Sequence, residues 1–225
     1  KQKTSYEISL GLVGSEMCIR DRSIEDESMQ IIENEIGSHP YNEQEWPIVR
    51  RIIHSTADFD FARDNKIIFH KNAIKNGLEA LKNGSSIVVD VNGIIGLLNK
   101  QNPKDFGNNV ICNISEPSIM EAAKEAGKTR AQMSMRIAKE DMNGGIVVVG
   151  NAPTALLEVM VMIREGITKP ALVIGIPVGF VSAVESKEEL AKMDIPFITN
   201  LGRKGGSPCA SAIVNALYKL LRQGN

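Results

Sequence analysis

The chain has 225 residues, 43% of them hydrophobic, and a net charge of −1, which suits one fairly large domain or two small ones that bury a core without disulfide staples. That balance excludes a bulk electrostatic attraction to nucleic acid or to a membrane surface, and no apolar run reaches the roughly 18 residues a membrane span needs. The three cysteines, Cys18, Cys112 and Cys209, have no CxxC spacing and are odd in number, so they read as free thiols in a reducing, cytoplasmic setting and not as a disulfide framework or a zinc site.

Residues 1–22 show neither a helical nor a strand period, nor the order of charge, apolar run and small residues that marks a signal peptide. They read as a non-native or artefactual tail, and residues 23–225 as a single domain. Ser23-Ile24-Glu25-Asp26 looks like a helix start, a hydroxyl cap followed by acids near the positive end of the dipole. Met29, Ile31, Ile32 and Ile36 continue it as a modest stripe, and Gly37-Ser38-His39-Pro40 ends it. A second helix is predicted to start near Asn42, with Pro47 early in it and Val49, Ile52 and Ile53 on the core face. A third spans about Asn72 to Leu81.

The pattern then changes. Short β-branched runs appear at 85–91, 110–114, 145–150 and 171–175, with a weaker one at 196–199. Between them lie helical patterns at 118–126, 129–141, 153–165, 181–193 and 207–221. Strands that are continuously apolar are buried on both faces, and alternation with helices calls for parallel strands joined by right-handed crossovers. The predicted architecture is a three-layer α/β/α sandwich with about five parallel strands, preceded by N-terminal helices.

Ligands in such sheets bind beyond the carboxyl ends of the strands, at the strand-to-helix corners. Three consecutive corners carry glycine beside a helix start: Gly150-Asn151-Ala152-Pro153-Thr154, Gly175-Ile176-Pro177-Val178-Gly179-Phe180, and Gly202-Arg203-Lys204-Gly205-Gly206-Ser207. Glycine lets a ligand approach the backbone, and a helix N-terminus offers N–H groups to an anion. One such corner is explained by the needs of a short loop; three in succession, one with adjacent cations, point to an anion-rich ligand. There is no GxxxxGK[ST], no GxGxxG after a strand and no HxE…CxxC arrangement, and His39, His54 and His70 lack metal-ligand spacing. Ser182 and Ser207 sit outside any GxSxG elbow, which argues against a serine hydrolase.

His54 falls near the carboxyl end of its helix, where the dipole favours imidazolium, and Asp58 four residues on adds the same bias. That suits a proton donor and acceptor. Position alone favours the plainer alternative, a histidine that closes the helix. Arg130 stands in the first turn of a helix, where the dipole disfavours a cation, so it is a candidate for holding a carboxylate. Read from residue types alone, the chain is an α/β enzyme or binding protein for an anionic ligand.

The stretches IIHSTADFDFA, GNAPTALLEV, IGIPVGFVSAVESKEEL and NLGRKGGSPCASAIVNAL together resemble the precorrin-8X methylmutases of cobalamin biosynthesis, over about Ile24 to Arg222. The resemblance implies a flavodoxin-like fold, a homodimer with active sites near the subunit interface, a tetrapyrrole polycarboxylate as substrate, and no cofactor or metal beyond any cobalt in the substrate ring. It implies an isomerase that moves a methyl group from C-11 to C-12 by a 1,5-sigmatropic shift. The HSTADFDF and GRKGGS stretches lean toward the branch that acts on cobalt-precorrin-8 to give cobyrinate; the alternatives are the metal-free aerobic branch giving hydrogenobyrinate, or a corrinoid-binding protein without turnover. The family's catalytic histidine maps onto His54, and a substrate-side arginine onto Arg130. Asn151, Ala152, Pro153 and Thr154, then Pro177, Val178, Gly179, Phe180 and Val181, and finally Gly202, Arg203, Lys204, Gly205, Gly206 and Ser207 would cradle the ring and its acetate and propionate arms. Backbone N–H groups and the Arg203 or Lys204 cations would meet those carboxylates.

Overall fold

The computed structural model describes residues 24–64 and 66–224. The reading of residues 1–22 as a tail lies outside them. The chain divides into two compact units, separated between Pro40 and Tyr41. In the first, residues 24–36 form helix α1, over the predicted stripe; the predicted cap, Ser23, lies outside the described residues.

The second unit starts with α2 (Trp46–Thr56). Its predicted start near Asn42 is a capping turn: the Asn42 carboxamide oxygen accepts from the N–H groups of Gln44 and Glu45 at 2.9 and 3.0 Å. Pro47 fits in the first turn because its missing N–H is not needed there. After a 3-10 turn at Phe59–Ala62 come β1 (Ile67–Phe69) and α3 (Ala73–Lys82). The parallel strands are β2 (Ile87–Val89), β3 (Val110–Ile111), β4 (Ile146–Val149), β5 (Leu172–Gly175) and β6 (Phe197–Asn200). Between β2 and β3 lie two short helices, α4 (Asn92–Leu97) and α5 (Gln101–Phe106). Then follow α6 (Pro117–Glu125), α7 (Arg130–Ile137), α8 (Lys139–Met142), α9 (Pro153–Arg164), α10 (Ala183–Leu190) and α11 (Ser207–Gln223).

The strands form one sheet in the order β1-β6-β5-β4-β2-β3. Counting only the five parallel strands in chain order, this is 2-1-3-4-5, the flavodoxin-like doubly wound arrangement. The sixth strand, β1, is antiparallel to β6, with Ile67 opposite Asn200. It was not predicted: an Ile-Ile-Phe run of three residues is too short to show a period. The helical pattern at 129–141 is two pieces, broken at Ala138.

Every residue of β2, β4, β5 and β6 is buried, as the apolar runs require. Val147, Val149 and Val173 face the layer of α7, α8 and α9, where Leu156, Val159, Met160 and Met162 pack on them. The opposite face carries α3 and α11. There Gly77 gives Leu172 and Leu217 room, since a Cβ at Gly77 would lie 2.8 Å from Leu172 Cδ2. The helix α2 packs on α11. The strand order reverses between β2 and β4, so the crevice beyond their carboxyl ends is where this topology opens a binding site.

Candidate active site

The core face of α2 consists of Ile48, Val49, Ile52 and Ile53, all essentially inaccessible, and His54 follows them, partly exposed in the last turn. The helix ends at Ala57, which adopts a left-handed conformation (φ 52°) and donates its N–H to the Ile53 carbonyl at 2.7 Å. Thr56 and Ser55 donate their hydroxyls to the Ile52 carbonyl at 2.8 and 3.0 Å. These groups satisfy the Ile52 and Ile53 carbonyls in the last turn. Ser55 Oγ also lies 3.5 Å from the Pro208 carbonyl, so the His54 end of α2 meets the start of α11.

Immediately after α2, Asp58 caps the 3-10 turn by accepting from the Asp60 N–H at 3.1 Å. Both aspartates then reach the third glycine corner. Lys204 Nζ lies 2.8 Å from Asp58 Oδ2 and 2.5 Å from Asp60 Oδ2. Its hydrogen bonds to the two carboxylates hold the Lys204 ammonium above its ordinary pKa. Lys204, expected to meet a ligand carboxylate, is paired here with two carboxylates of the chain itself.

The three corners are joined by main-chain hydrogen bonds. The Val178 N–H donates to the Gly150 carbonyl at 3.4 Å, Gly206 to Ile176 at 2.9 Å, and Gly179 to Arg203 at 3.2 Å. This close approach needs glycine at 205, where a Cβ would fall 2.2 Å from the Ile176 carbonyl oxygen. The Arg203 guanidinium lies over the Phe180 ring at 5.5 Å. Phe180 and Val181 are 83% and 82% exposed, so they present an apolar surface beside the cationic edge. Pro177 is buried, and Gly202 and Ser207, at the two ends of the third corner, are partly buried. The residues predicted at these corners are thus brought together, with α10 and α11 starting there without a side-chain cap.

At the first corner the donors are taken. Asp90, at the carboxyl end of β2 and 2% exposed, accepts from the N–H groups of Gly150 at 3.0 Å, Asn151 at 2.8 Å and Ala152 at 2.7 Å. The N–H groups of Asn151 and Ala152 are thus engaged within the chain, and Pro153 has no N–H to offer. Burial pushes the Asp90 carboxyl up from its ordinary range and the three N–H donors oppose that shift. Sequence reasoning missed Asp90, although an acid closing the run IVVD is an unusual strand end.

Arg130 is exposed at the first position of α7. Thr129 caps that helix and donates or accepts a 3.3 Å hydrogen bond with Thr154, which sets Arg130 beside the first corner. The buried Glu158 of α9 anchors the arrangement. It accepts from Lys128 Nζ at 3.0 Å, from Gln132 Nε2 at 2.8 Å and from the Arg136 guanidinium. These donors lower its pKa against the desolvation that raises it. Gln132 completes the capping box through its other end, accepting from the Thr129 N–H at 2.9 Å.

A second missed residue is Lys187 of α10. Its position in Glu-Ser-Lys-Glu-Glu reads as a solvated face, yet it is fully buried. Its Nζ donates to the Lys204 carbonyl at 2.8 Å and to Asn200 Oδ1 at 3.2 Å. Desolvation pushes its pKa down to about 8, with Cys209 acting weakly the other way. Cys209 itself is buried and pushed up to about 12, so it stays a thiol. His70 lies away from these corners, its ring tilted against that of Phe197 and paired with Asp194 at 3.3 Å. Among the described residues no group of three or more His, Cys, Asp or Glu could hold a metal ion, and no helix is long and apolar enough to cross a membrane.

Residues 23–220 match the precorrin-8X methylmutase family. The chain belongs to this family. It is 47% identical over 208 residues to the cobalt-precorrin-8 methylmutase of Priestia megaterium, covering 92% of each chain. It is 35% identical to the precorrin-8X methylmutase of a Sinorhizobium species, covering 89% of this chain and 96% of that one. The crystal structure of precorrin-8X methylmutase from Thermus thermophilus superposes with a TM-score of 0.84 at 41% identity, over 90% of this chain and 97% of that one. The flavodoxin-like architecture is thus that of a methylmutase.

Two expectations follow for this methylmutase fold. Asp90→Ala leaves three N–H groups without their acceptor at the head of α9 and should cost about 2–4 kcal/mol in urea unfolding, with Asp90→Asn costing less. The second concerns Lys187. Its depressed pKa means that the folded state holds its proton less firmly than the unfolded chain, so the protonated form is penalised below about pH 8 and the penalty is lost as pH rises toward 10.5. The stability of wild type relative to Lys187→Met should therefore increase between about pH 7 and about pH 10, by up to roughly 3 kcal/mol; parallel urea titrations of the two proteins check this.

Proposed function

We propose that the protein is an isomerase of corrin biosynthesis that converts cobalt-precorrin-8 to cobyrinate by moving a methyl group from C-11 to C-12. The observation that carries this reading is the placement of His54: the end of α2 meets the start of α11, beside three glycine corners locked to one another. The near-half identity to a cobalt-precorrin-8 methylmutase across almost the full chain favours the cobalt branch.

The chemistry suits the site. An intramolecular methyl shift leaves the atom and electron count of the ring unchanged, so the protein supplies neither a covalent nucleophile nor a redox group. It must hold a large polyanion in one pose and adjust the protonation of its conjugated system. His54 lends a proton to the ring and recovers it when the methyl group has moved. Arg130 and Arg203 remain as cations for the acetate and propionate arms, and the exposed Phe180 and Val181 offer apolar area to the macrocycle face. The uncapped starts of α10 and α11 add the favourable end of two helix dipoles. Cobalt travels with the substrate, and no separate cofactor is invoked. In the same reading the working unit is a homodimer in a reducing, cytoplasmic compartment, with Cys112 and Cys209 as free thiols.

The test is an absorption spectrum of the protein incubated with cobalt-precorrin-8 and, in parallel, with metal-free precorrin-8X. Faster formation of the corrin chromophore from the cobalt compound supports the reading, preference for the metal-free compound moves it to the other branch, and binding without a new chromophore reduces it to a corrinoid-binding protein. His54→Ala should bind substrate within a few-fold of wild type while turnover falls by about 10²–10⁴; unchanged turnover would remove His54 from the mechanism.

A further inference from the structure

We infer that Lys204, held between Asp58 and Asp60, is a positioning residue that fixes the His54 end of α2 against the third glycine corner, and that it is not a ligand for the substrate. The inference rests on the proposed chemistry at His54 and assigns a role to three charged residues around it.

An ammonium has three protons to donate. The three nearest carboxylate oxygens are Asp58 Oδ2 at 2.8 Å, Asp58 Oδ1 at 3.1 Å and Asp60 Oδ2 at 2.5 Å. The donor capacity of Lys204 is therefore spent inside the chain. The cluster carries one positive and two negative charges, so it presents a net negative charge to a polycarboxylate. Both facts oppose a role in binding substrate carboxylates.

The two sides of the clamp differ in rigidity. On the Lys204 side, the main-chain carbonyl is gripped by the buried Lys187 at 2.8 Å and by Asn200 Nδ2 at 3.0 Å. The next residue, Gly205, lies hard against the Ile176 carbonyl. On the aspartate side, the chain has just left a helix through a left-handed residue, Ala57, into a four-residue 3-10 turn. Only Ser55, Thr56 and Ala57 separate His54 from Asp58. A firmly seated cation thus holds the exit of α2, and that exit carries the imidazole. The ion pairs are half exposed, with side-chain exposures of 41% for Lys204 and 28% for Asp58. Such pairs add little to global stability, so their removal leaves a folded protein whose His54 is less well placed.

The experiment compares Lys204→Met, the pair Asp58→Asn/Asp60→Asn, the combination of all three, and Lys204→Arg. Positioning predicts that Lys204→Met and the aspartate pair each lower kcat by about ten-fold or more with KM within about two-fold. The triple variant should lose no more than either, and Lys204→Arg should retain most of the rate. A rise in KM at unchanged kcat in Lys204→Met would instead make Lys204 a substrate ligand. Effects of opposite sign in Lys204→Met and the aspartate pair would make the cluster a purely electrostatic element; either pattern overturns the inference. Amide hydrogen exchange without substrate supplies a readout independent of the reaction. Residues 57–61 should exchange about ten-fold faster in Lys204→Met while the middle of α11 is unchanged, and unchanged exchange at 57–61 overturns the inference whatever the activity. If wild type fails to turn over either corrin precursor, the proposed function falls, and the exchange measurement still decides the clamp.

Discussion

A single buried carboxylate organises the ligand-facing end of the sheet. Asp90 closes β2 and takes the three N–H groups that open the turn into α9. Those groups belong to the neighbouring strand's corner, across the point where the strand order reverses. In many doubly wound proteins this place is left open for an anionic ligand. Here the chain fills it with its own carboxyl group, which couples two strands that are far apart in sequence and takes up the N–H groups of this corner. The α9 start becomes a fixed wall, and Thr154, through Thr129, carries that fixity to the helix that presents Arg130.

From that wall the other corners follow by main-chain contact. Val178 leans on Gly150, Gly206 on Ile176, and Gly179 on Arg203. No side chain is needed for these links, which is why the corners are rich in glycine: Gly205 has no room for a Cβ beside the Ile176 carbonyl. The polar side chains are then free for two other tasks. Lys187, Asn200, Asp58 and Asp60 hold the frame, while Arg130 and Arg203 face outward beside the apolar Phe180 and Val181. Residues of one charge type thus split between frame and surface according to what surrounds them, and Lys187 and Arg203 illustrate the split within one site.

Much of the fold was legible because its signals are local. The runs IVVV and LVIG are continuously apolar or nearly so, and such runs fit a sheet covered on both faces; FITN, with Thr199 and Asn200, was a weaker signal. The glycines at 150, 175, 202, 205 and 206 announced the corners. What escaped were features that depend on distant partners. Asp90 meets residues sixty positions away, and Asp58 and Asp60 meet a lysine almost 150 positions away. No window on the sequence contains either pair. Lys187 looked solvated because its neighbours Glu185, Glu188 and Glu189 are charged, and only the passage of α10 over the end of β6 buries it. The short helices α4 and α5 were hidden by Gly93, Gly96 and Pro103, which weaken any helical pattern. His54 was legible as a candidate from residue type and position, but the choice between proton carrier and helix closure needed the surrounding motif.

The sheet ends in β1, three residues long, on one side and in β3, two residues long, on the other. An exposed strand edge is a template on which other chains can add strands, and brevity is one way of blunting it. The interior strands of this sheet are valine- and isoleucine-rich, the composition most prone to cross-chain pairing when uncovered. Flanking them with such short margins leaves few unpaired amides on which a neighbouring molecule could extend the sheet, so a crowded cell can hold many copies of the chain with little tendency toward sheet-to-sheet aggregation.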